Sequence, residues 1–189
     1  INNSGKLTIT DSTLNNNTTQ WGGGAINNGG GEMAITDSTL NNNTSEDDGG
    51  AINNNNGKLT VTSSTLNNNT AQGRVSSGGA IFNKDAELSI TESILNENTA
   101  KRYGAAIGNE KGNFKIFKCK FSTNKSPNNI ILNNDFLQIH NTTFKNNQSK
   151  DIVLNDGDEA NLSIFNGDFI DNDVEESVLG NNGRFCSVE

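Results

Sequence analysis

The residues of this chain whose types could do chemistry are few and dispersed. They are acids at Asp47/Asp48, Asp156/Asp158/Glu159 and Asp171/Asp173, a single histidine at His140, and two cysteines, Cys119 and Cys186. Hydrolysis of a glycosidic bond needs two carboxyls facing one cleft, and a calcium-assisted lyase needs a carboxylate cluster with a basic residue beside it. These acids sit in turn-like stretches and do not recur along one strand face, so no catalytic residues are expected. His140 reads as an exposed strand residue. The cysteines occupy different places in a repeat and lie about three units apart, roughly 14 Å at the interstrand spacing, which is beyond disulfide reach. Both read as small buried hydrophobes. Calcium-binding nonapeptides of the Gly-Gly-x-Gly-x-Asp type are not found, and neither a metal site nor a cofactor is expected.

What recurs is the side-chain amide. Asp11-Ser-Thr-Leu-Asn-Asn-Asn-Thr18 returns unchanged as Asp37 to Thr44, and weaker copies follow to the C-terminus. A first apolar anchor falls at Leu14, Leu40, Leu66, Leu95, Phe121, Phe144 and Phe169, in steps of 26, 26, 29, 26, 23 and 25 residues. Three residues beyond each stands Asn17, Asn43, Asn69, Asn98, Asn124, Asn147 or Asn172. A second anchor falls at Ile1, Ile26, Ile52, Ile81, Ile107, Ile131, Val153 and Leu179, followed two residues later by Asn3, Asn28, Asn54, Asn83, Asn109, Asn133, Asn155 or Asn181. Alternating pairs such as Leu7/Ile9, Leu59/Val61 and Leu137/Ile139 complete each unit.

A period of this length marks a solenoid, and strict two-residue alternation marks strands. The expected fold is therefore all-β: one domain over residues 1–189, a right-handed parallel β-helix of about eight coils with three short strands per coil. Stacking such coils turns both asparagine series into continuous inward ladders. There an amide can donate to a corner carbonyl and to the next amide, where stacked acids would repel and Leu would strand buried polar groups.

Composition agrees with a narrow spine. Hydrophobic residues make up 31% of the chain, well below a globular core, yet they are concentrated at fixed places. The net charge of −8 with scattered Lys and Arg argues against nucleic acid and anionic membranes. No run is long and apolar enough to span a bilayer. The chain opens on Ile and both ends fall inside a repeat, so it reads as a processed or excised segment of a longer protein.

Two regions are candidates for contact with a partner. Length variation gathers in one corner, after the first-anchor asparagine, where Trp21, Arg74, Lys101, Arg102 and Tyr103 should project. Asn129 to Asn133 and Asp151 to Asn155 are apolar on both faces. With Ile131 and Val153 inward, Ile130, Leu132, Ile152 and Leu154 should form an exposed patch. A threonine array at Thr8/Thr10, Thr60/Thr62 and Ser89/Thr91 could also suit an ice-binding face, but it fails at Lys115/Phe117 and Gln138/His140.

Gly-Gly-Ala-Ile at 23–26, 49–52 and 78–81, with Phe-x-x-Asn at 121–124, 144–147 and 169–172, resembles the repeat of chlamydial polymorphic membrane proteins. It is similar also to adhesin-like surface proteins of methanogenic archaea. That resemblance implies an extracellular or cell-surface passenger, non-catalytic and used in adhesion or as a structural stalk. Its partner would be a surface protein or glycan of a host or neighbouring cell, or another copy stacked through the open β-helix ends into a filament. A polysaccharide-binding or polysaccharide-cleaving β-helix and an ice-binding solenoid are the alternatives.

Overall fold

A computed structural model describes residues 1–183 and 185–188, with the backbone alone for Phe185 and Cys186. The expected burial of Cys186 therefore lies outside the described side chains. The chain is a parallel β-solenoid with no helix among the described residues. It makes about seven full turns, close to the eight coils expected, and every strand pairs with its own counterpart in the neighbouring coil.

The first sheet carries the second anchors, in strands such as Ile26–Gly29, Ile52–Asn55 and Ile81–Lys84. Its register is strict: Ile26↔Ile52↔Ile81↔Ile107↔Ile131↔Val153↔Leu179. The second sheet begins with Lys6–Thr10, Glu32–Thr36, Lys58–Thr62 and Glu87–Thr91, and takes in the first-anchor strands Thr65–Asn67 and Ile94–Asn96. A third sheet is built from two-residue strands, Thr18–Thr19 to Thr99–Ala100, which the sequence does not separate from the variable corner.

Alternation decides what enters the spine. In Glu87–Thr91, Leu88 and Ile90 are buried while Glu87, Ser89 and Thr91 face outward. Each fully buried Leu or Ile contributes about 1.5–3 kcal/mol, summed along the axis rather than around one centre. Where the repeat shortens, Phe replaces Leu. Phe121, Phe144 and Phe169 stack with centroids 4.9 and 5.0 Å apart and nearly parallel rings.

Two corners run as continuous columns of left-handed residues. One holds Asp11, Asp37, Ser63, Glu92, Lys118, Asn141 and Asn166, and the other Asn16, Asn42, Asn68, Glu97, Thr123, Asn146 and Asp171. Asn and Asp tolerate this region best, which accounts for the composition of the early coils.

One expectation needs correction. Ile130 and Ile152 are fully buried. Ile130 accepts the Ala106 N–H and so continues the column of Ala25, Ala51, Ala80 and Ala106, which is buried throughout. A corner lies at this point, so two consecutive side chains face inward, and the strand alternation that put Ile130 outside does not apply. Leu132 and Leu154 alone face out, and both are half-buried. Three sheets per coil are present as expected, and in the last coils neighbouring short strands join end to end. Middle strand and first-anchor strand join as Phe136–Lys145 and Asn161–Ile170, and the variable corner between third sheet and second anchor tightens until Gln148–Asn155 and Asp173–Asn181 each run as one long strand.

Candidate binding surface

The amide ladders are internal, and they position everything outside them. In the first, each Nδ2 donates to Oδ1 of the next coil: Asn3 to Asn28 at 2.7 Å, Asn28 to Asn54 at 2.7 Å, Asn54 to Asn83 at 2.6 Å, and on through Asn109, Asn133 and Asn155 to Asn181. The second hydrogen of each goes to a corner carbonyl, as from Asn28 to Gly31 or from Asn83 to Ala86.

The second ladder links Asn17, Asn43, Asn69, Asn98, Asn124, Asn147 and Asn172 at 2.9–3.1 Å. Asn98 uses its whole capacity. Its Nδ2 donates to Asn124 Oδ1 and to the Leu66 carbonyl, and its Oδ1 accepts from the backbone and side-chain nitrogens of Asn69. An amide has two donor hydrogens and two acceptor lone pairs, so nothing is left unpaired. From Asn28 to Asn155 and from Asn43 to Asn147 the ladder residues are fully buried; Asn3, Asn17, Asn172 and Asn181, in the outermost coils, are not.

Two further columns escape a sequence reading. Ser12, Ser38, Ser64 and Ser93 stack two residues before the first anchor, each backbone N–H reaching the next hydroxyl at 3.1 Å. Cys119 takes the next place, its Sγ directed at the Phe117 and Ile90 carbonyls; burial pushes the thiol up to about 11, so it stays protonated and unreactive. The other column is one of charge. Lys6, Glu32, Lys58 and Glu87 align across four coils with alternating sign and pair as Lys6–Glu32 and Lys58–Glu87. Only the register brings these residues, far apart in sequence, into intercoil pairs.

The variable corner lies where expected and forms one edge. Trp21 is 77% exposed and Val75 68% exposed. Arg74 is exposed, and the Arg102 guanidinium lies 4.9 Å from the centre of the Tyr103 ring, which is half-buried. The Thr70–Ser77 insertion folds back, so that Phe82, outward in its strand, is covered. Beside Arg102 a hollow of about 370 Å³ opens among Lys101, Lys125, Pro127 and Glu175. Beneath the same edge, Asp48 accepts the Ser77 N–H at 2.7 Å, and desolvation pushes its carboxyl from 3.8 up to about 6 despite that bond.

A separate groove of about 640 Å³ crosses the outward face of the second sheet. Short side chains, Thr60 and Ser89, lie under it, their row continued by Lys115 and Gln138, with Lys58, Glu87, Asn113 and Phe136 along one margin. His140 sits on this face too, between Phe117 and Phe165. Among the described residues no three His, Cys, Asp or Glu side chains are grouped to hold a metal ion, and no helix is long and apolar enough to cross a membrane.

These features define a class: a parallel β-solenoid stapled by internal amide ladders, with its longest insertion, Thr70–Ser77, on one edge. Residues 37–55 and 63–84 match the Chlamydia polymorphic membrane protein repeat, and both stretches include a Gly-Gly-Ala-Ile corner. Those two stretches are similar to that repeat, as the sequence resemblance implied. Comparison with curated proteins and with solved structures returned no match.

Proposed function

We propose that this segment is an extracellular, non-catalytic adhesin-like module that captures a surface protein of a host or neighbouring cell along its insertion edge. One observation carries the reading: the corner between third sheet and second anchor, longer in the early coils than in the late ones, brings Trp21, Arg74, Val75, Arg102 and Tyr103 onto one side. Trp, Tyr and Arg dominate the energetics of protein interfaces, because each carries a large, rigid or multiply bonding surface. The stapled solenoid holds them at spacings of about 4.8 Å per coil, so little ordering remains to be done on binding. A stalk that merely displays other segments would have no need of an exposed Trp and a paired Arg–Tyr on the same edge.

The test is adhesion of beads coated with the purified chain to cells, compared with beads carrying Trp21→Ala/Arg102→Ala. Both residues are exposed, so the variant should keep its melting temperature while capture falls at least ten-fold. Undiminished capture by the double variant would sink the proposal. Sedimentation at several concentrations separates capture of a foreign partner from self-association of the chain.

A further inference from the structure

We infer that the groove on the second sheet is a glycan site, selective for oligosaccharides bearing carboxylates such as uronic acids. The argument begins with what the groove lacks. Backbone N–H and C=O groups in the strands under it are spent on bonds to the coils on either side, so an extended peptide cannot add itself as a strand here. Recognition must come from side chains alone.

Those side chains are of mixed kind. Thr60, Ser89 and Gln138 offer neutral donors and acceptors, and Phe136 offers a ring on which the C–H face of a sugar can rest. The same face continues into Phe117 and Phe165, 39% and 48% exposed, which extend the aromatic surface toward later coils. Hydroxyl-rich, ring-shaped units repeating along a chain suit a surface whose own residues repeat at about 4.8 Å.

Charge gives the selectivity. Glu87 is paired with Lys58 at 3.6 Å, whereas Lys115 is exposed and makes no ion pair among the described residues. In a chain of net charge −8, the groove thus carries one uncommitted cation with no carboxylate directed at it. A glycan carboxylate would find there the partner that Lys115 lacks. Glu87 is the one acid lining the groove, so the pair of carboxyls needed for hydrolysis is not assembled.

Calorimetric titration of the intact chain with a galacturonate hexasaccharide, and with cellohexaose as the neutral counterpart, tests this. Binding of the acidic probe, at least ten-fold tighter than the neutral one and falling as salt rises, is expected. Lys115→Gln should abolish the preference while leaving residual neutral binding; Phe136→Ala should weaken both probes at least ten-fold. Gln138→Ala, a polar change on the same face, guards against a folding artefact if Phe136→Ala lowers the melting temperature. No binding of either probe, equal affinities for the two, or wild-type affinity in Lys115→Gln and Gln138→Ala alike would overturn the assignment. The adhesion variants at Trp21 and Arg102 should leave these titrations unchanged, so this site and the insertion edge stand or fall separately.

Discussion

Asn98 shows how much one side chain can be asked to do. It is fully buried and makes four hydrogen bonds to two neighbouring coils. Asn98→Leu removes the partners of Asn69, Asn124 and the Leu66 carbonyl together, and the chain should lose about 1–3 kcal/mol, the cost of leaving buried polar groups unpaired. Urea denaturation would show this as a lower midpoint; an unchanged midpoint would contradict the ladder energetics. Asp48 makes the opposite case, since its acid is better off neutral. With a folded value near 6 against the ordinary 3.8, the protonated form is favoured in the native chain. Its contribution to stability is complete below about pH 4 and is lost as pH rises through 6. Asp48→Asn keeps an acceptor for the Ser77 N–H, so its melting temperature should exceed wild type at pH 7.5 and match it at pH 4. A constant gap at both pH values would mean that titration is not the cause.

At the scale of the element, the Gly-Gly-Ala-Ile corner sets how closely coils approach. A Cβ on Gly79 would lie 2.0 Å from the Ala105 carbonyl oxygen and 2.6 Å from that of Thr99, both backbone atoms. Gly79→Ala must therefore open this corner, and a loss of about 1–3 kcal/mol is expected, read as a lower melting temperature. This corner also marks the boundary of what a sequence can disclose. The anchors and both asparagine series were legible, because identical residues at a fixed step have one cheap explanation: they stack. Burial of Ile130 and Ile152 was not, because alternation was carried through a bend where two successive side chains turn inward. The clue was present in the column of alanines preceding Ile26, Ile52, Ile81 and Ile107. The serine column was hidden differently: in Asp-Ser-Thr-Leu a serine passes for turn filler until its hydroxyl is seen to meet the N–H of the previous coil. Neither the groove nor its unpaired Lys115 could be read beforehand, since a hollow depends on relative side-chain heights across coils that are far apart in sequence.

The molecule as a whole is quasi-one-dimensional, each coil contacting only its neighbours, so stability should vary along the axis rather than between interior and exterior. Hydrogen exchange followed by mass spectrometry should find the slowest amides between about Ile52 and Asn133, where both ladders are fully buried, and faster exchange in the outermost coils of this chain. Uniform exchange from end to end would indicate a single cooperative unit instead. The spacing that makes ladders possible also makes the edge and the groove independent surfaces on one rod.

Closed amide pairing has a bearing on chemical ageing as well. Asn is among the most thermally labile residues, most of all before glycine, whose unhindered N–H can attack the side-chain carbonyl and convert the amide to an acid. Asn28 precedes Gly29, but its Nδ2 is tied to Asn54 and Gly31 and its Oδ1 to Asn3. Asn56 before Gly57, Asn166 before Gly167 and Asn182 before Gly183 are exposed. Deamidation during long storage should therefore accumulate at these three and spare Asn28, so the pairing that shapes the rod also sets its shelf life.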